Sequence, residues 1–510
     1  MALPDHLSVN SMSNTVNEMQ SADIQSGNRL TTPAWILLFL AVVSVLQWYI
    51  PQPVDDDTAY HFAVGQLIGK YGILHSFPWT PFSWQFDNYA DKEFLFHLLF
   101  VPLGGLGFVT ASRVVGVVAG TLILSTLYLV LRSEKVVMAG VWALIPLGAS
   151  AFVYRFAMVR PHLLSIALAL ILLWACARGR MYILACVAVI YPLAYVAFWQ
   201  IPLILLVATE SSRYLADERL RWKPAVTLLA GIVVGVLLHP NTTNLLGINW
   251  IHMTDILFRN AWGGKVEFNL GTEFDPFPMS GWCYYLLVVL FMAMTALVLS
   301  WRDRRQNSFP LACAIATVFF GVLTLKSGRF LEYFVPCTVL SLAVATRPMG
   351  TKLIAPVLLG VSLLYTLLLG TYPYTVLGAL DAKAVYLEPA TAEFFAQQIP
   401  VGSQVFTTNW DYTGNLMVTL PERRFLVAAD PTLLYKKDPQ LYALWHRLPE
   451  SAPPDTAELI RRRFNSRFVI SRNDPKFWPF FDALTTDSRV KCLLADKNWV
   501  LFGLGDPSEQ

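Results

Sequence analysis

The run WILLFLAVVSVLQWYI at residues 35–50 leads, through Pro51-Gln52-Pro53, directly into Val54-Asp55-Asp56-Asp57-Thr58-Ala59-Tyr60-His61. Counted from Pro33, the span 33–50 is long and apolar enough to lie in hydrocarbon, which takes roughly 17–25 helical residues. The stretch that follows sets three adjacent carboxylates at the mouth of that span. Like charges so placed raise one another's pKa, and the nearby membrane worsens their solvation. One aspartate would suffice to cap the helix that the following residues predict, where the helix dipole favours an acid. Three of them, with His61 one turn beyond Asp57 on the same face, point instead to an outward-facing polar site that holds a metal ion or accepts a proton.

Outward from this junction the chain keeps its apolar character. Of its 510 residues 55% are hydrophobic and 14% charged, and mean hydropathy is +0.49. Those values exclude an ordinary soluble enzyme and describe a polytopic membrane protein. The net charge of +3 includes no basic block, so nucleic acid is not an expected partner. Cys176, Cys186, Cys283, Cys313 and Cys337 lie in apolar segments and Cys492 in the polar C-terminal part, which gives no disulfide framework. Residues 1–32 are polar, and Arg29 is their one basic residue before the first span. They predict a disordered cytoplasmic tail followed by an uncleaved signal anchor.

Further spans are expected near 112–131, 136–153, 161–178, 181–198, 201–213, 224–239, 281–300, 309–325, 329–346 and 353–371. Counting 94–110 as one more would invert every later loop. With that piece left out, Arg132, Lys135, Arg178, Arg180, Arg213, Arg219, Arg221, Lys223, Arg302, Arg304, Arg305, Arg347 and Lys352 collect on the inner side. The positive-inside rule therefore favours about eleven spans with a cytoplasmic N-terminus. Residues 94–110 then form a helix that lies in the outer interface or re-enters from it, inside a long first outer loop, 51–111.

Beyond the transmembrane part, 33–372, the tail 375–510 changes character. Short strand patterns at 404–407, 424–427, 467–470, 490–494 and 499–502 alternate with helical ones at 389–398, 438–448, 455–464 and 475–485. They predict an outward-facing α/β domain with a largely parallel sheet.

Four cations belong to the outer side in this topology. Arg155 and Arg160 flank a short outer link, and Lys326 and Arg329 bracket another. Their bland reading is snorkelling. Their functional reading is an anionic head group, since the arginine fork offers paired donors to phosphate. The aromatic stretch Ser76-Phe77-Pro78-Trp79-Thr80-Pro81-Phe82-Ser83-Trp84 fits an interfacial belt or a wall for a sugar ring.

Taken with this layout, Asp55-Asp56-Asp57-Thr58-Ala59-Tyr60-His61 and the downstream Gly65 resemble the first outer loop of the GT-C superfamily of membrane glycosyltransferases. Pro81-Phe82-Ser83, Arg160-Pro161-His162-Leu163 and Gly328-Arg329-Phe330 are similar to further landmarks of a bacterial branch. Trp410-Asp411-Tyr412-Thr413-Gly414 is similar to the Trp-Trp-Asp-Tyr-Gly signature of oligosaccharyltransferases. Asn409 replaces the first Trp and Thr413 precedes the Gly, and a strand-to-helix turn is expected there.

The resemblance implies transfer of a sugar from a polyprenyl-phosphate or polyprenyl-diphosphate donor to an acceptor glycan, lipid or protein at the outer face of a bacterial inner membrane. On that reading Asp57, then Asp55, with Asp56 and His61 beside them, is the catalytic group. Arg155, Arg160, Lys326 and Arg329 hold the donor phosphate, and Asp55 with Asp57 would hold Mg or Mn if a metal is used. The rival is a transporter, flippase or polymerisation component without transferase chemistry. Transporters keep charge near the bilayer midplane, whereas here it sits at span ends.

Overall fold

The computed structural model describes residues 30–49, 56–257, 268, 274–369 and 387–505. The membrane part contains α1 (Thr32–Tyr49), α2 (Asp57–Tyr71), the short α3 (Phe94–Leu98), α4 (Gly107–Ser133), α5 (Ala139–Leu144), α6 (Ser150–Ala157), α7 (His162–Arg178) and α8 (Met181–Ala194). It continues with α9 (Gln200–Leu215), α10 (Trp222–Leu238), α11 (Thr242–His252), α12 (Met279–Tyr285), α13 (Leu287–Arg302), α14 (Ser308–Lys326), α15 (Leu331–Ala345) and α16 (Ile354–Leu368). Every expected span position carries a helix. Among the described residues, however, four helical stretches are long and apolar enough to cross a bilayer alone, and three bent pairs, at 91°, 117° and 87°, qualify only together.

One core runs through the bundle, from Phe39 and Val43 of α1 through Leu124 and Tyr128 of α4 to Val335 and Leu340 of α15. The outward faces are apolar too: Val45, Leu237, Val298 and Leu364 are all exposed. Water would penalise such stripes, whereas lipid tolerates them.

The interfacial helix expected over 94–110 is broken. α3 ends at Leu98, a 3-10 stretch runs over Val101–Leu106, and α4 opens on Gly107 with φ of +73°. Pro102 has no N–H to offer a helix, and Gly107 adopts a backbone that other residues resist. Gly104 is needed for closeness as well, because a Cβ there would come within 2.0 Å of the Gln66 side chain of α2.

The C-terminal domain holds α17 (Pro389–Gln398), β1 (Gln404–Thr407), α18 (Thr413–Thr419), β2 (Arg424–Phe425), α19 (Thr432–Lys437), α20 (Pro439–Ser451), α21 (Thr456–Phe464), β3 (Phe468–Arg472), α22 (Trp478–Thr485), β4 (Val490–Ala495) and β5 (Trp499–Leu504). Its sheet order is β2-β1-β3-β5-β4. β1 pairs in parallel with β2 and β3, whereas β5 runs antiparallel to both β3 and β4. The expected largely parallel sheet is thus mixed. The short link between Ala495 and Trp499 allows only a hairpin, since a parallel crossover needs a dozen residues or more. Alternation along the strands feeds two cores: Val405, Ile470 and Leu501 on one face, Phe406, Val469 and Phe502 on the other.

Helix α2 joins the two halves of the molecule. Tyr60, Val64 and Leu67 pack with Tyr412, Leu416 and Phe425 of the C-terminal domain. On another side Ala59 and Phe62 pack with Phe96, Phe100 and Phe108. The aromatic stretch of the first loop is also spent on this joint. Trp79 Nε1 donates to the Pro421 carbonyl at 2.8 Å, Phe425 N donates to the Trp79 carbonyl at 2.7 Å, and Phe77 stacks on Tyr89.

Candidate active site at the outer mouth

Asp57 is the first residue of α2, where the helix dipole favours an acid. The cap position itself belongs to Asp56, whose side chain makes no capping bond. Asp57 Oδ2 lies 3.1 Å from Arg160 Nη1, and both side chains keep partial exposure, 27% and 16%. A charge-assisted pair open to one side can exchange one partner for a ligand at small cost, because solvent still reaches both ions.

Asp56 faces the C-terminal domain. Its Oδ1 accepts from Asn415 Nδ2 at 3.3 Å, and its charge bears on Arg472 of β3. Burial holds Arg472 below its ordinary pKa, against the opposing pull of Asp56 and Asp411. Gly414 allows this approach, since a Cβ there would come 2.7 Å from Tyr60 N and 2.8 Å from the Asp56 carbonyl. The stretch around Trp410 is therefore the expected strand-to-helix turn, and that turn touches the acidic loop. Asp55 lies outside the described residues.

His61 is buried, and its Nδ1 is 2.8 Å from His97 Nε2. His97 Nδ1 is in turn 2.7 Å from Asp91 Oδ1. Burial first, then the positive neighbours His97, Arg160, Lys92 and His162, push His61 well below the usual histidine pKa, so its ring is neutral. The phenol of Tyr60 is raised well above its usual value by burial and then by Glu93, Asp91, Asp430 and Asp57. The charges of those four carboxylates all reach one phenol, so the turn Asp91-Lys92-Glu93, Asp430 of the C-terminal domain and the start of α2 lie in one neighbourhood.

Asp430 is itself held. His252 Nε2 lies 2.8 Å from its Oδ2 and Lys92 Nζ 3.9 Å. Burial pushes Asp430 up, but His252, Lys92 and Thr432 outweigh it and keep the carboxyl well below its usual range. His239 Nε2 donates to the Asp91 carbonyl at 2.8 Å and fixes the acidic turn against the end of α10.

The four expected cations differ in placement. Arg160 meets Asp57. Arg155 is buried, with its Nη2 2.9 Å from Glu332 Oε2 and His162 Nε2 donating to its carbonyl at 2.9 Å. Arg329 lies over the Phe274 ring and reaches the Tyr195 hydroxyl at 3.4 Å. Its charge and those of Arg155 and Glu332 all bear on Tyr195, so these groups lie in one neighbourhood. Lys326 is exposed at the end of α14.

Sequence reasoning missed Asp91, Glu93, His97, Asp430 and Glu332. The spacing Glu93-x-x-x-His97 was the available signal, because it puts an acid and an imidazole four residues apart on one helical face, two and six residues after Asp91. Asp57 Oδ2 faces the Arg160 guanidinium, and Asp55, the other residue expected to hold Mg or Mn, lies outside the described residues. Among the described residues, the group of three that could converge on an ion is His61, Glu93 and His97.

No family model and no curated protein matches the sequence. Solved structures do match the fold. The archaeal oligosaccharyltransferase AglB from Archaeoglobus fulgidus, in complex with an inhibitory peptide and a dolichol-phosphate, aligns with TM-score 0.60 at 13% identity, over 89% of this chain and 71% of its own. ArnT from Cupriavidus metallidurans bound to undecaprenyl phosphate aligns with TM-score 0.58 at 15% identity, over 93% of this chain and 99% of its own. The arabinofuranosyltransferase AftD from Mycobacteria aligns with TM-score 0.56 at 13% identity, over 95% of this chain and 40% of its own. The fold these share is the GT-C fold, and this chain has it.

Proposed function

We propose that the protein is a membrane glycosyltransferase that moves a sugar from a polyprenyl-phosphate-linked donor to an acceptor at the outer face of a bacterial inner membrane. In this topology the N-terminus is cytoplasmic and the C-terminal domain periplasmic. One observation carries the reading: the part-exposed Asp57–Arg160 pair at the opening of α2, in a fold shared with ArnT bound to undecaprenyl phosphate. The pair sets a proton acceptor beside a phosphate binder, which are the two groups that this transfer needs.

The acceptor hydroxyl attacks the anomeric carbon, its proton passes to the Asp57 carboxylate, and the bond from that carbon to the donor phosphate oxygen breaks. Charge then builds on the leaving phosphate, where Arg160 can bind it through two N–H groups. On this reading Arg329 and Lys326 add positive charge for the donor phosphate. Arg155, already paired with Glu332, supports the mouth from behind. No step here is routed through Mg or Mn. A transporter reading finds less support, since the charged groups gather at helix ends rather than in a midplane site.

The test is mass spectrometry of lipids that copurify with Asp57→Asn protein, alongside glycan analysis of cells carrying only that variant. The expected result is a polyprenyl-phosphate-linked sugar on the protein and loss of a glycan product from the cells. Full product with only bulk phospholipid bound would overturn the assignment.

A further inference from the structure

The geometry points to a zinc-type metal site one turn below Asp57, built from His61 of α2 and from Glu93 and His97 around α3. One ligand atom from each of these residues lies within 4.8 Å of the others, and all three residues are buried. His97 Nδ1 is committed to Asp91 Oδ1 at 2.7 Å, which turns the Nε2 lone pair toward His61. A carboxylate behind the far nitrogen of a ligating histidine fixes its tautomer and raises its basicity, as is usual at metal centres. His61 becomes the second nitrogen ligand when its proton moves from Nδ1 to Nε2, with no net proton lost from the ring.

Charge gives an independent argument. Asp91 and Glu93 are 5% and 7% exposed. Among the described residues, Asp91 has only His97 within ion-pair distance and Glu93 has no cation. Asp91 Oδ2 is buried without a hydrogen-bond partner. Two buried carboxylates in such surroundings are costly unless positive charge balances them. A divalent ion would balance both. Two imidazoles and one carboxylate select a zinc-type ion over Mg or Mn, which favour oxygen shells, and three protein ligands leave a fourth position for water or another ligand.

Packing holds the ligands together. A Cβ on Gly65, one turn past His61, would come 2.6 Å from Phe100 Cβ and 2.9 Å from the His97 carbonyl. Gly65 therefore allows α2 and α3 to approach as closely as shared ligation requires.

The site stands or falls apart from the glycosyltransferase reading, because its test reads metal rather than turnover. Tag-free full-length protein is purified in detergent, stripped with a chelator and titrated with Zn(II) by calorimetry and with Co(II) by absorption. The expected result is one equivalent bound, with the cobalt spectrum of a four-coordinate site. Uptake is abolished in His61→Ala and His97→Ala proteins that elute as folded wild type does. Asp91→Asn, which keeps every ligand, retains the stoichiometry with affinity reduced about 10–100-fold, and Asp57→Asn leaves uptake unchanged. No uptake by stripped wild type overturns the proposal whatever the variants do. Undiminished uptake in His97→Ala, or loss in Asp57→Asn alone, overturns it equally.

Discussion

Arg155 and Arg160 are five residues apart, one near the end of α6 and the other just beyond it, and the sequence offers no reason to treat them differently. The structure gives them opposite situations. Arg155 is 5% exposed against a Glu332 that is 0% exposed, whereas Arg160 and Asp57 are 16% and 27% exposed. A fully desolvated pair serves the fold, because removing either ion strands the other in low dielectric. A half-solvated pair contributes little to stability and is correspondingly easy to spend on a ligand. Burial of the partner, not the arginine itself, decides which of the two stays accessible to a ligand.

Breaking the exposed pair has the largest predicted effect. Asp57→Asn removes the proton acceptor without changing shape, and sugar transfer falls by about 10²–10⁴-fold while the thermal midpoint in detergent hardly moves. Transfer assayed with purified polyprenyl-phosphate sugar checks this; a midpoint that drops together with activity would place Asp57 among the structural groups. Next comes the buried pair. Glu332→Ala leaves Arg155 uncompensated and destabilises the fold by about 3–5 kcal/mol, read as loss of folded protein on heating. The paired replacement Arg155→Met with Glu332→Met recovers most of that loss. If the single change is harmless, the contrast between the two arginines fails.

Two smaller effects sharpen the contrast. Gly65→Ala forces α2 off Phe100 and the His97 carbonyl at a cost of about 1–3 kcal/mol, measured by thermal unfolding, although it touches neither pair. Arg160→Lys keeps the charge but loses the fork, so kcat/KM falls about tenfold with stability unchanged. An equal loss of stability in Arg160→Lys would mean that this pair, too, is structural.

The difference between what was and was not legible follows from how local each feature is. The helices at the expected spans and the strands of the C-terminal domain could be read because apolar runs and alternation are short-range patterns, whereas α11, between the spans expected at 224–239 and 281–300, was not. Asp57 and Arg160 could be read because charge at a span end is anomalous in its own neighbourhood. Glu332 looked like an ordinary first-turn acid, and only folding brings it to Arg155, 177 residues away in sequence. Asp430 was equally silent, 178 residues from His252. The antiparallel position of β5 depended on link length, and the break within 94–110 depended on Pro102 and the glycines, whose effects outweighed mean hydropathy. His97 was passed over because the apolar run 94–110 reads first as a membrane-interface helix, which hides the Glu93-x-x-x-His97 spacing until Asp91 is seen behind it.

Asp430 supplies an intermediate case between the two arginine pairs, and the smallest predicted effect. It ties the C-terminal domain to the membrane part through His252 and Lys92, at 12% exposure. Its folded pKa is depressed, since those partners and Thr432 outweigh burial. Above the ordinary aspartate value of about 3.9, folded and unfolded chains both carry the charge and the contribution is whole. As pH falls below that value toward the folded pKa, the unfolded chain takes up its proton first and the contribution drains away. The thermal midpoints of wild type and Asp430→Asn should therefore stay apart from about pH 7 to pH 5 and converge below about pH 4. A gap that closes near pH 6 would assign the docking to a histidine rather than to this carboxylate, and Asp430 would then belong with Asp57 as an acid held ready for a ligand instead of with Glu332 as one that holds the fold.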